Sequence, residues 1–113
     1  SEGQWTVGKG IDTFCPMGPW IDTDLDSFDL EDLGIKGHLT HEGSTTTYQD
    51  SRTSQMIWGF GEILEYISRT MTLLPGDVIS TGSPAGTRQM VDGDIITIEV
   101  EGLGQLRNKV VNA

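Results

Sequence analysis

The stretch Leu73-Leu74-Pro75-Gly76-Asp77-Val78-Ile79-Ser80-Thr81-Gly82-Ser83-Pro84-Ala85-Gly86 constrains this chain more than any other. Pro75 fixes φ and Gly76 supplies φ > 0, so the pair reads as a turn closing an apolar run. Val78 and Ile79 are β-branched, which predicts a short buried strand over residues 77–81. That strand runs straight into Gly82-Ser83-Pro84-Ala85-Gly86. Two glycines, a serine and a proline at a strand end make a loop whose N–H groups can face outward and bind an anionic oxygen. Ser83 adds a hydroxyl. An ordinary Gly/Pro connection has the same composition.

Punctuation of this kind runs through the chain. Fifteen glycines and 4 prolines in 113 residues predict many turns and short strands around one modest core. Seven Lys+Arg against 17 Asp+Glu give a net charge of −10, which argues against a phosphate-backbone partner and so against nucleic acid. The same balance fits a soluble cytoplasmic protein and makes divalent-cation binding plausible. A single cysteine, Cys15, excludes an internal disulfide framework. No apolar run approaches ~18 residues, so no membrane span is expected. The chain shows no signal peptide and opens on Ser1 rather than Met, so its natural start is expected upstream.

In chain order, residues 1–10 are polar and glycine-rich. Lys9 lies between Gly8 and Gly10, with little side-chain cover, and its ammonium can reach into a cleft; an isolated lysine is more commonly a solvated charge. Pro16 and Pro19 exclude a continuous helix or central strand over 11–21, where Phe14, Met17, Trp20 and Ile21 are expected in the core. Cys15 reads as a small buried hydrophobe. Asp22-Thr23-Asp24-Leu25-Asp26 is spelled like the start of a calcium loop. The pattern then fails at Ser27, where the sharp turn needs glycine, and at Leu33, where a bidentate Glu belongs. Residues 33–48 read as short strands and hairpin turns. His38 and His41 lack a third ligand and read as surface residues.

Residues 51–69 read as the one convincing helix. Met56, Ile57, Phe60, Ile63, Leu64 and Ile67 recur at three and four, Thr53 or Ser54 can cap it, and Glu65 and Arg69 are an i, i+4 pair. After the turn at Asp92-Gly93-Asp94, the run 95–100 alternates, with Ile96, Ile98 and Val100 on one face. Gly102-Leu103-Gly104 turns it back as an antiparallel hairpin. The fold class is mainly β with one helix, α+β.

Taken together, Lys9-Gly10-Ile11-Asp12-Thr13-Phe14-Cys15-Pro16-Met17-Gly18-Pro19, Thr53-Ser54-Gln55-Met56-Ile57, Leu73-Leu74-Pro75-Gly76-Asp77-Val78-Ile79, Thr81-Gly82-Ser83-Pro84-Ala85-Gly86 and Gly102-Leu103-Gly104 resemble the fumarylacetoacetate hydrolase family in order and rough spacing. The resemblance is to the C-terminal portion of the family's catalytic domain, so 1–113 reads as a partial domain of mixed β-roll type. It implies a hydrolase or isomerase acting on β-dicarbonyl or enolic 2-oxo acids, with Mg²⁺ or Mn²⁺, and a homodimer in the complete enzyme. By the same resemblance Lys9 is the catalytic lysine beside the metal. Thr13 stands at a hydroxyl position in the outer metal network, and Gly82 and Ser83 are substrate-binding. Ser83 replaces the family's usual threonine. The family's Glu-x-Glu pair and aspartate lie before the region covered, so the metal ligands are expected mainly outside this chain. Glu99-Val100-Glu101 has that spelling at the wrong place in the order. The segment 41–49 is longer than the family's compact Asn-Gly-Glu hairpin. Two other readings compete: a β-rich binding or structural module that keeps only the scaffold, and a small calcium-binding module.

Overall fold

The computed structural model describes residues 3–112. A short helix α1 (Trp5–Lys9) is followed by irregular chain and two 3₁₀ turns. Strands β1 (Gly34–His41) and β2 (Ser44–Arg52) come next, then helix α2 (Phe60–Ser68), then β3 (Ile95–Val100) and β4 (Gly104–Lys109). The four strands form one antiparallel sheet in the order β2-β1-β3-β4. The fold is α+β, as the sequence predicts.

β1 and β3 are the inner strands, each with a partner on both sides. β1 joins β2 through a two-residue turn in which Glu42 has φ 47° and Gly43 φ 80°, the pair of positive values that a tight hairpin demands. Ladder partners share a face, so three rows cross the sheet: Ile35 with Val100, Gly37 with Ile98 and Leu106, and Leu39 with Ile96. The expected alternation of Ile96, Ile98 and Val100 therefore fixes the core face. Leu39, 7% exposed, is its most buried side chain.

Both ends of this sheet are held by charge. At one end Arg52 donates to the Asp32 carboxylate at 2.6 Å and reaches Glu101 at 3.4 Å, while Glu101 accepts from the Gly34 N–H at 3.0 Å. The Arg52 guanidinium and the Ser54 hydroxyl hold the Asp32 carboxyl below the usual carboxylate range. At the other end Asp94 is only 3% exposed, although its place in a turn suggests a solvated acid. It accepts from the Val91 N–H at 2.9 Å and meets His41 Nδ1 at 2.6 Å. A buried carboxylate needs such partners.

Four expectations are corrected here. Residues 77–81 do not form a strand, and Val78 is 63% exposed; β-branching favours a strand only where a neighbour offers backbone partners, and β1–β4 offer none there. The helix is Phe60–Ser68 rather than 51–69, because Ser51 and Arg52 are paired in β2 and Thr53–Gln55 is a 3₁₀ turn. Its start is satisfied by Glu62, which accepts from the Gly59 N–H at 2.9 Å, not by Thr53 or Ser54. Phe14, Met17, Trp20 and Ile21 are exposed, Ile21 to 90%, and Cys15 is exposed as well. The proline-broken segment that carries them builds no element able to bury them. The Glu65–Arg69 pair forms as expected.

The helical stripe is half-buried at Phe60, Ile63 and Ile67, with Leu64 exposed. Phe60→Ala should then cost about 1–2 kcal/mol, below the ~3–5 of a fully buried ring; chemical denaturation measures it, and an unshifted midpoint would place Phe60 outside the packed face. The Asp94 carboxylate raises the His41 pKa above its ordinary 6.5, and the Val91 N–H, then His41, lower that of Asp94. His41 therefore adds stability fully present below about 6.5 and lost as pH rises through its raised value. Asp94 adds stability that is lost only as pH falls below the ordinary carboxylate range. Urea midpoints taken across pH 5.5–8.5 should decline toward alkaline pH, and His41→Ala should flatten that decline.

Candidate functional site

Lys9 closes α1. The Gly8 N–H donates to the Gln4 carbonyl at 3.0 Å and the Gly10 N–H to the Thr6 carbonyl at 2.8 Å, so the backbone on both sides of Lys9 is fixed. A Cβ on Gly10 would stand 2.6 Å from the Thr6 oxygen, which explains the glycine after the lysine. The Lys9 side chain is exposed. Four residues on, Thr13 has φ 70°, rare for a β-branched residue, in a turn closed by the Phe14 N–H on the Ile11 carbonyl at 3.1 Å. Strain of this kind costs about 1–3 kcal/mol and persists where the surroundings impose it, often at functional sites.

The second cluster is the loop 81–86. Ser83 is exposed and Pro84 half-buried, and Gly82 and Gly86 have φ 126° and 105°. The loop lies against two consecutive residues of β2. Gln49 Nε2 donates to the Pro84 carbonyl at 2.8 Å. The Gly86 backbone approaches the Tyr48 carbonyl so closely that a Cβ would overlap its oxygen, and the Arg88 guanidinium sits 4.6 Å from the Tyr48 ring centre. Gln49, Tyr48, Gly86 and Arg88 are thus part of the candidate site, although sequence reasoning passed over all four as site residues. The signal for Tyr48 and Gln49 was the segment 41–49; Gly86 closes the loop itself, and Arg88 carries no local signal.

The remaining acidic and histidine motifs are occupied structurally. Asp22 accepts from the Asp24 N–H at 2.9 Å, closing its own turn. Glu99 accepts from Gln105 Nε2 at 2.7 Å, and Glu101 serves Gly34 and Arg52. His38 and His41, three apart on one strand, contact Thr47 and Asp94 respectively. Among the described residues no three His, Cys, Asp or Glu side chains are placed to hold a metal ion. They do not by themselves fit the divalent ion that the family resemblance implies. An apolar groove of about 530 Å³ runs along α2, lined by residues such as Trp58, Ile63, Tyr66 and Ile67; neither Lys9 nor Ser83 lines it.

The profile of the fumarylacetoacetate hydrolase C-terminal domain matches residues 1–111. The chain belongs to the fumarylacetoacetate hydrolase family. Its fold matches the crystal structure of Cg1458 with a TM-score of 0.94 at 62% identity, covering 99% of this chain and 43% of that one. It also matches 2-hydroxyhepta-2,4-diene-1,7-dioate isomerase from Mycobacterium marinum, with a TM-score of 0.86 at 51% identity, covering 97% of this chain and 41% of that one. Among curated relatives, 2,4-didehydro-3-deoxy-L-rhamnonate hydrolase from Sphingomonas sp. (strain SKA58) is 37% identical over 115 residues, covering 95% of this chain and 39% of the relative. Five further curated relatives are spanned over 40 to 45% of their length. A hydrolase and an isomerase thus both stand among the relatives of this family member.

The Gly86 approach yields a test that separates close packing from backbone strain. Gly86→Ala should destabilise the protein by about 2–3 kcal/mol, through overlap with Tyr48 added to the positive φ. Gly82→Ala meets no atom within 4 Å and should cost about 1 kcal/mol from φ alone. Equal losses in thermal or urea unfolding would show that the loop does not rest on Tyr48.

Proposed function

We propose that this chain is the lysine- and substrate-loop-bearing portion of a cytoplasmic hydrolase or isomerase acting on β-dicarbonyl or enolic 2-oxo acids. The observation that supports it most is the loop 82–86. It is anchored on β2 from behind by Gln49 and Gly86, and it leaves the Ser83 hydroxyl exposed to bind a carboxylate or enolate oxygen. Lys9, fixed at the end of α1, supplies a cation for charge that develops as an enolate forms. Thr13 stands in the turn after it, at the hydroxyl position of the outer metal network. Cleavage of a C–C bond and migration of a double bond both pass through such an enolate, so one arrangement serves a hydrolase or an isomerase.

The Mg²⁺ or Mn²⁺ ion belonging to this reading, which would polarise the substrate oxygens, takes its carboxylate ligands from outside the described residues. The complete enzyme on this reading is a homodimer. No helix of the described residues is long and apolar enough to cross a membrane.

Steady-state kinetics of the full-length protein on an acylpyruvate or a hydroxy-dienoate tests the reading. Lys9→Met should lower kcat by about 100-fold or more while KM changes little, since the ammonium acts on the transition state. Ser83→Ala should cost about tenfold, because neighbouring N–H groups remain, and Ser83→Thr should retain activity. An unchanged kcat in Lys9→Met would make Lys9 a surface charge, whereas a parent that turns over neither substrate would favour the non-catalytic scaffold.

A further inference from the structure

We propose that Gln49, seated by Gly37 and by a bulge at Tyr48, is the positioning residue that sets Ser83 for substrate; this rests on the functional reading above. The loop has no ladder of its own: residues 77–90 belong to no strand or helix. Its conformation must therefore be imposed by contacts with the sheet. Among the described residues, the hydrogen bond that joins it to the sheet is the one from Gln49 Nε2 to the Pro84 carbonyl, at 2.8 Å.

That bond lies one residue from Ser83, and the intervening chain is stiff. Proline fixes the φ of Pro84 near −65° and confines the preceding Ser83 to extended backbone. Clamping the Pro84 carbonyl therefore leaves the Pro84 ψ as the one soft torsion between the clamp and the peptide that carries Ser83. Elsewhere in the chain the same bond would leave its neighbour free.

Two features of the sheet exist to place Gln49. Gly37 pairs with Gln49 and His38 with Thr47, so Tyr48 is an extra residue in β2. A bulge re-aims the side chains beside it and recurs next to functional sites. Opposite, Gly37 is buried, and a Cβ there would stand 2.5 Å from Gln49 Oε1 and 3.2 Å from Gln49 Cβ. The glutamine side chain therefore lies across a glycine, and any larger residue at 37 would push it off. Gly86 and Arg88 meet Tyr48 on the same segment, so the loop and the bulge form one unit.

The test uses the full-length protein and two independent readouts. Gln49→Met keeps the length and removes the donor. Backbone amide NMR order parameters at 82, 83, 85 and 86 should fall from rigid values of about 0.85 to below about 0.6, with β1 and β3 unaffected. KM should rise by a similar factor, about five- to tenfold, with kcat changed less. In a double-mutant cycle, Ser83→Ala should cost less in the Gln49→Met background than in the parent, because the hydroxyl is already misplaced. Gly37→Ala should reproduce the loss of loop order with Gln49 intact; should that variant fail to fold, Gln49→Met decides alone. Unchanged order parameters at 82–86, or full additivity with Ser83→Ala, overturns the proposal. A full-length parent inert toward 2-oxo acids overturns the functional reading instead, and the order parameters still decide whether Gln49 holds the loop.

Discussion

The backbone ladder of β1 is the constraint on which the rest depends. It is paired to β2 on one side and β3 on the other, and every other sheet contact is reached through one of those two. Pairing on both sides commits its N–H and C=O groups, which fixes register, and register fixes which side chains face the core. The three rows through Ile35, Gly37 and Leu39 follow directly. Gly37 is the exception among them. It contributes no side chain, and the space it leaves is used by Gln49 from the neighbouring strand.

A chain with net charge −10 repels itself unless its carboxylates are given work. Here several of them are tied into the fold. Asp32 and Glu101 share Arg52, Glu62 receives the N–H of Gly59 just before α2, and buried Asp94 joins His41 to the start of β3. These bonds explain why acid-rich motifs do not gather into a metal centre within the described residues. An acid that accepts a backbone N–H or an Arg is committed, whatever its spacing spells. Glu101 illustrates this: its oxygen lies 3.0 Å from the Gly34 nitrogen, so the Glu-x-Glu spelling serves strand closure.

Apolar side chains follow a different rule. The accessible surface is 9222 Å², against roughly 6,000 Å² for a compact protein of this mass. Ile57, Trp58, Tyr66, Met71 and Leu74 are all exposed beside or beyond α2. Periodicity identifies which residues would face a neighbour; whether a neighbour covers them is a separate matter. That is why the stripe on α2 was legible and its burial was not. It is also why Phe14, Met17 and Trp20, apolar and close together, are exposed.

What the sequence determined by itself was local. Gly43, Gly93 and Gly102 mark turns because each takes a positive φ that other residues avoid. The alternation over 95–100 specified a strand and its inner face, and the ordered motifs from Lys9 to Gly104 specified the family. Tertiary structure decided what depends on distant partners. It withheld a strand from 77–81 for want of a neighbouring ladder, and it gave residues 51 and 52 to β2 instead of the helix. It buried Asp94 by placing His41 beside it, 53 positions away. It also brought Gln49 to Pro84 across 35 residues. Neither pair carries a local signature, because a side chain and a carbonyl that far apart meet only once strand register and the hairpin turn have set their places.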